Sequence, residues 1–301
     1  GMLLAVLTVP AVAQFVPPGI EPVETEQLAD ALHTFRWGAY RSVFIVTEEG
    51  VIATDPISPE AAIRYREAIA AVTDQPVRYL VYSHSHWDHV SGGLLFKDVG
   101  ATIVAQRRCV DNMAESPNPD VIAPDVTFDQ QTDVMLGERG ISLYYFGPSH
   151  DTCLAMMVLR PWNMLVAVDL VTPPSGWYMP WDPQVADFHF YNAVEYLEQV
   201  EALVASEGIE TLIGSHLVPV PLGKGRFGGK PSTGPATAVT ERREFWQQLM
   251  SAVKAEMDKG TVSFMVSGRV DLSPFQDARN YNKKDMKLLI NRIAAYYSIG
   301  R

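Results

Sequence analysis

Six consecutive residues, His84-Ser85-His86-Trp87-Asp88-His89, hold three imidazoles and a carboxylate directly after the apolar stretch Val77 to Tyr82. Imidazole nitrogens and carboxylate oxygens are donors for zinc and its first-row neighbours. The apolar stretch reads as a buried strand, and a strand that ends in such groups presents them together at the edge of its sheet. If the extended form persists, alternation aims His84, His86 and Asp88 roughly one way. His89 then diverges, so the spacing points to two ions. The bland alternative is a polar loop whose histidines only hydrogen-bond.

The same context recurs downstream. Phe146-Gly147-Pro148-Ser149-His150 places an imidazole after a strand and a glycine turn. Val166-Ala167-Val168-Asp169 ends a strand in a carboxylate, and Ile213-Gly214-Ser215-His216 ends another in an imidazole. Of the seven histidines, only His33 and His189 lie outside this pattern. Taken singly, His150, Asp169 and His216 read as structural residues. Their repetition in one context and one order makes them ligand candidates. A mixed imidazole and carboxylate set accepts zinc, iron or manganese alike.

His-x-His-x-Asp-His, then Gly-x-x-His, a strand-end Asp and Gly-x-His resembles the ordered signature of the metallo-β-lactamase superfamily, over residues from about 40 to 220. The resemblance implies two Zn2+ ions, with iron or manganese left open. One would be held by His84, His86 and His150, the other by Asp88, His89 and His216, with Asp169 bridging both. Asp55, which ends Val51-Ile52-Ala53-Thr54, matches an acidic residue that supports the site from behind the ligands; an ordinary turn Asp before Pro56 is the alternative. The implied activity is that of a zinc-dependent hydrolase, in which an ion-bound hydroxide attacks an electrophilic carbonyl. Asp88 would orient the nucleophile and shuttle its proton.

Two positions depart from the common pattern. Many members carry Thr after the second-motif His, where this chain has Asp151, either tuning His150 or capping the next strand. The zinc β-lactamases themselves lack the bridging Asp, so Asp169 points toward the branch of thioesterases, lactonases and phosphodiesterases. The expected reaction is cleavage of a small, fairly apolar ester, thioester or lactone. A β-lactamase, or an iron-dependent oxidoreductase of the sulfur dioxygenase type, is the alternative.

Substrate contacts are sought near the ligands. Thr172 to Phe190 carries Trp177, Tyr178, Met179, Trp181, Phe188 and Phe190. Rings directly after a ligand line the mouth of a site or else cover the core, and the two readings stand level. Trp87, Trp177, Tyr178 and Trp181 are the pocket candidates. Lys224 and Arg226 could meet a substrate carboxylate, although a solvated loop explains them as well.

The elements that must position these groups follow from pattern. Arg41–Val46 and Val51–Thr54 read as a hairpin across Glu48-Glu49-Gly50. Ser58 caps a helix with Pro59 at its first position, running to about Val72. After the metal loop come a short helix near Leu94 to Asp98, a strand Ala101 to Ala105 and a helix Arg107 to Glu115. Strands are expected around Val134-Leu136, Ile141-Phe146, Leu154-Leu159 and Met164-Val168. A helix follows from Asp187 to Ala205, ended by Gly208, and Thr211 to Gly214 is the last core strand. Two β-rich blocks, each with helices, make an α/β fold of four layers, an αββα sandwich. The catalytic unit is expected over residues 25–222. A Gly/Pro-rich loop, Pro219 to Pro235, leads to a helical extension over 236–301 packed on it, with helices at Ala236 to Lys259 and Lys284 to Tyr297. This tail leaves a homodimer open.

Composition narrows the partners. The chain has 301 residues, 47% hydrophobic, with a formal net charge of -11. Such acidity argues against a nucleic-acid partner, which needs a basic footprint, and Arg107-Arg108 and Lys283-Lys284 are too short to supply one. The expected partner is a small-molecule substrate. Met2 to Gln14 is apolar and ends in Ala11-Val12-Ala13, a small-residue pattern of the kind cut by signal peptidase, but lacks a basic start. Residues 1–16 are therefore read as a signal-peptide remnant and the protein as periplasmic or secreted; if the segment packs on the domain instead, the protein is cytoplasmic. No segment is long and apolar enough to span a membrane. Cys109 and Cys153 are too few for a disulfide scaffold, though they could form one bridge in an oxidising compartment.

Overall fold

The computed structural model describes residues 16–180 and 189–300. Seven strands form the first sheet in sequence order: β1 (Val23–Ala29), β2 (Leu32–Trp37), β3 (Tyr40–Thr47), β4 (Gly50–Thr54), β5 (Val77–Val81), β6 (Thr102–Gln106) and β7 (Val126–Phe128). The first four run antiparallel and β4 to β7 run parallel. Parallel neighbours need crossovers. Here these are α1 (Pro59–Val72), then α2 (Trp87–Val90) with α3 (Leu94–Lys97), then α4 (Arg108–Glu115). The Ser58 hydroxyl caps α1 by accepting from Ala61 N at 3.1 Å, as its sequence signature predicts.

The second sheet contains β8 (Gln131–Leu136), β9 (Arg139–Tyr144), β10 (Met156–Arg160), β11 (Met164–Val166), β12 (Thr211–Ile213) and, beyond the hairpin β13 (Pro219–Gly223) and β14 (Arg226–Gly229), β15 (Thr233–Pro235). Its order is β15-β12-β11-β10-β9-β8. Alternation sorts the side chains of β3. Val43 and Ile45 join a buried cluster with Ile141, Leu143, Met157 and Leu165 of the second sheet, whereas Phe44 packs with Tyr65 and Ile69 of α1. The other face of the second sheet is covered by α5 (Ala193–Glu207), α6 (Thr237–Asp258) and α8 (Lys283–Ile299), with the short α7 (Ser263–Val266) between the last two. The result is the expected four-layer α/β sandwich. Phe245, Trp246 and Leu249 of α6 and Ile290 and Ile293 of α8 are fully buried in the same cluster as the sheet. At about 1.5–3 kcal/mol for each such side chain, the C-terminal helices belong to the core.

Several features differ from the sequence expectation. Residues 23–37 carry β1 and β2, which were not anticipated. β1 is charged and mostly exposed, and β2 is buried yet includes Arg36, whose guanidinium donates to Glu24, Gly38 O and Glu21 O at 2.8–2.9 Å. The expected loop from Pro219 to Pro235 instead forms β13, β14 and β15. Lys224 and Gly225 make its turn in the left-handed region, at φ 51° and 72°. β15 lies past the expected end of the catalytic unit at residue 222. The helix expected from residue 187 starts at Ala193, after a 3-10 turn over Phe190–Asn192, and stops at left-handed Gly208 as foreseen. Cys109 and Cys153 are joined in a disulfide. Residues 1–15, the body of the expected signal remnant, and Trp181 lie outside the described residues. Among the described residues no helix is long and apolar enough to cross a membrane.

Candidate metal centre

Asp55, His84, Asp169 and His216 each follow the C-terminal end of a strand, namely β4, β5, β11 and β12. The pairs β4–β5 and β11–β12 are parallel, so each pair delivers its residues to one end of its sheet. Backbone hydrogen bonds stitch the two sheets together there: Ala155 N to Ser83 O at 2.9 Å, Arg41 N to Ser215 O at 2.6 Å and Leu217 N to Ala39 O at 2.7 Å. Within the first motif the extended form stops at His86. Residues Trp87–Val90 form a helical turn, which corrects the expectation that Asp88 continues the alternation of His84 and His86. The turn buries His89 and leaves Trp87 and Asp88 exposed.

Two groups of ligand atoms result. His84, His86, His150 and Asp169 form one, and His89, Asp169 and His216 the other, each within 4.8 Å of one another. Asp169 is common to both. Its Oδ2 lies 3.5 Å from His84 Nε2, 3.0 Å from His89 Nε2 and 3.3 Å from His150 Nε2. Its Oδ1 faces His216 Nε2 at 2.5 Å. The Asp169 backbone sits at φ 57°, a left-handed conformation that Asp tolerates better than most residues. His86 Nδ1 and His150 Nε2 are 3.1 Å apart.

Burial and mutual charge shift these groups in opposite directions. Burial, then the neighbouring His89 and His86, hold His84 well below the ordinary imidazole range. Burial opposes ionisation of Asp169, yet His89 and His216 outweigh it and hold the carboxyl well below its usual range. At His89 burial is again outweighed, here by Asp169, and the imidazole is raised. His84 Nε2 and His89 Nε2 are buried, and although the Asp169 carboxylate lies near both, neither makes a well-aligned hydrogen bond to it. Such orphaned nitrogens are costly unless something else satisfies them. A metal ion would do so, and these nitrogen and oxygen donors fit zinc, iron or manganese.

A second layer holds the ligands. Ser83 Oγ lies 2.8 Å from His84 Nδ1, which leaves Nε2 to face Asp169. Asp55, fully buried, accepts from Ser83 N at 2.8 Å and lies 3.8 Å from His89 Nδ1. It thus lies behind the strand end that bears His84 and beside His89. Asp151 is neither a simple cap nor a partner of His150. Its carboxylate accepts from Ser85 N at 2.8 Å, Ser85 Oγ at 2.6 Å and Asn112 Nδ2 at 2.7 Å. It therefore ties the metal loop to α4, beside the Cys109–Cys153 bridge.

The pocket candidates fare differently. Trp177 stacks on Phe275 at 6.0 Å and meets Phe245 edge-on at 5.5 Å. The Tyr178 ring lies between the guanidinium groups of Arg242 and Arg279, at 4.0 and 4.6 Å, and its hydroxyl donates to Leu170 O at 3.2 Å. Of the two readings given for these rings, packing against the C-terminal extension is what the structure contains. A Cβ at Gly176 would lie 1.9 Å from Ala238 O, so only glycine lets this segment approach α6 so closely. Trp87 is 48% exposed beside the metal loop. Sequence reasoning passed over Tyr40, whose ring meets His89 and His216 edge-on at 5.5 and 4.8 Å. A lone aromatic at a strand start carries no local signal of that placement.

Residues 36–216 match the family model described as the metallo-β-lactamase superfamily, a span that includes every candidate ligand. The chain belongs to the metallo-β-lactamase superfamily. Among its superfamily relatives is the 2,4-dinitroanisole O-demethylase subunit alpha of Nocardioides sp. (strain JS1661), 28% identical over 45% of this chain and 43% of the relative. Another is the type 2 metallo-β-lactamase of Elizabethkingia meningoseptica, 27% identical over 42% of this chain and 54% of the relative. The chain thus spans about half the length of these curated relatives. Among solved structures, a metallo-β-lactamase from Pontibacter korlensis superposes with a TM-score of 0.61 at 17% identity, covering 75% of this chain and 99% of that one. A stereoselective inverting sec-alkylsulfatase from Pseudomonas sp. gives 0.68 at 13% identity, over 92% of this chain and 50% of that one. At such identities the likeness is one of fold.

Proposed function

We propose that this protein is a hydrolase that uses two divalent ions, Zn2+ first among them, to cleave a small, fairly apolar ester, thioester or lactone. When bound, one ion would be held by His84, His86 and His150, and the other by Asp88, His89 and His216. The observation that carries this reading is the placement of Asp169, whose single carboxylate is shared between both ligand groups. When bound, paired ions supply Lewis acidity and lower the pKa of a water between them. Asp88, exposed at the rim, orients the attacking water and takes its proton on a carboxylate oxygen. Asp55 and Asp151 keep the loop that bears these groups in register. The catalytic unit takes in residues 25–222 together with β15, and the helices of 236–301 brace it. The disulfide supports a periplasmic or secreted location, since such bridges persist in oxidising compartments.

β-Lactam hydrolysis is the second reading, favoured by the likeness to a type 2 metallo-β-lactamase and opposed by the carboxylate at Asp169. Iron-based oxidation of a thiol substrate is a third. One experiment separates them: metal analysis of the full chain, then a panel of aryl esters, lactones, thioesters, a cephalosporin, alkyl sulfates and a phosphodiester. An activated aryl methyl ether belongs in it too, given the O-demethylase relative. Turnover of an acyl ester by the zinc-loaded protein is the expected result. Oxygen consumption by an iron-loaded protein with no hydrolysis would replace this reading.

A further inference from the structure

The strand β3 opens at Tyr40, directly after the turn through Gly38 and Ala39. Its backbone forms a bridge with His216, flanked by the bonds from Arg41 N to Ser215 O and from Leu217 N to Ala39 O. The chain is thus anchored on both sides of the tyrosine, and the ring has little freedom to leave. Its edge-on contacts are with His89 and His216, two imidazoles of one ligand group. Burial, then the nearby Asp88 carboxylate, raise its hydroxyl well above the ordinary phenol range. Asp88 itself is the one expected ligand that lies outside both groups of converging atoms, on the exposed side of the α2 turn.

We propose that Tyr40 is a positioning residue of the second ion's site, its ring fixing the imidazoles of His89 and His216. This rests on the two-ion reading above. Among the described ring contacts of Tyr40 are none with His84, His86 or His150, so its ring bears directly on the second ion's imidazoles alone. Partners that orient a metal ligand typically change affinity by about 10–100-fold. A tyrosine acting this way affects one ion and spares the other, which a purely structural ring does not.

The test is titration of the metal-free full chain with Zn2+ against a chromophoric chelator, for the wild type, Tyr40→Phe and Tyr40→Leu. The wild type should bind two equivalents. Tyr40→Phe keeps the ring and should leave both equivalents unchanged. Tyr40→Leu removes it and should weaken the second by about 10–100-fold and leave the first unchanged. With Co2+ in place of Zn2+, the visible absorption of the second equivalent alone should shift in Tyr40→Leu. Two equivalents in the wild type and an unchanged second affinity in Tyr40→Leu would overturn the role of Tyr40 alone. Equal weakening of both equivalents, with a matching fall in melting temperature, would overturn it too, as a general structural effect. A single equivalent in the wild type would overturn the two-ion reading itself.

Discussion

Asp151 offers the most direct check on how the metal loop is held. It is 2% exposed, and two of its three short contacts come from the buried Ser85, the third from the half-buried Asn112. Asp151→Ala removes the acceptor and leaves Ser85 N and one Asn112 N–H unsatisfied. At about 1–3 kcal/mol for each orphaned donor, and more for contacts to a charged group, the expected loss is about 3–5 kcal/mol. Asp151→Asn keeps the shape. Its new amide can face Asn112, provided Asn112 flips to present its oxygen. The hydroxyl of Thr152, which now donates to Asn112 Oδ1 at 2.8 Å, can accept instead. The Asn variant should therefore lose only about 1–2 kcal/mol, chiefly the charge assistance. Urea unfolding of wild type, Asp151→Ala and Asp151→Asn, at unchanged m, measures both. Equal losses in the two variants, or an Ala variant within about 0.5 kcal/mol of wild type, would refute the argument that buried donors of the metal loop depend on this carboxylate.

Further outcomes follow from other parts of the molecule. Asp88→Ala and His216→Ala should each lower kcat/KM on the substrate found by the panel by about 100-fold or more, with far-UV circular dichroism unchanged; undiminished turnover in either would remove it from the mechanism. Loss of the Cys109–Cys153 bridge, by Cys109→Ser with Cys153→Ser, should cost up to about 4 kcal/mol in equilibrium unfolding, since the bridge closes a loop with a sequence separation of 44. Glu207 accepts from Arg160 at 2.7 Å and Tyr144 at 2.9 Å, and these bonds hold its carboxyl below the usual range. A lowered folded pKa stabilises above the unfolded value of about 4.3 and loses that contribution as pH falls through the folded value. Glu207→Gln should thus be less stable than wild type at pH 7, with the gap closing below about pH 4; a gap that persists in acid would contradict the pairing.

Where local patterning carries the information, the sequence alone was sufficient. The Ser58-Pro59 signature places the start of α1 because capping is satisfied within four residues. The run at 84–89, with His150, Asp169 and His216, is legible because strand ends are marked by where apolar alternation stops, and the ligand types are explicit there. The helices of 237–258 and 283–299 follow from apolar spacing in the same way. Only the tertiary structure decides the rest. β1 and β2 escape notice because the one is charged and the other carries a buried arginine that is satisfied by Glu24 and by the carbonyls of Glu21 and Gly38. The α2 turn, which takes Asp88 out of line with His84 and His86, breaks an alternation that the residue types do not interrupt. Trp177 and Tyr178 look like pocket walls until α6 and the segment before α8 supply their partners. Tyr40 meets His216 across 176 positions of chain, and Asp151 meets Ser85 across 66. A residue type states which bonds it can make, whereas long-range packing chooses the partner, because no term in the local chain distinguishes one distant neighbour from another.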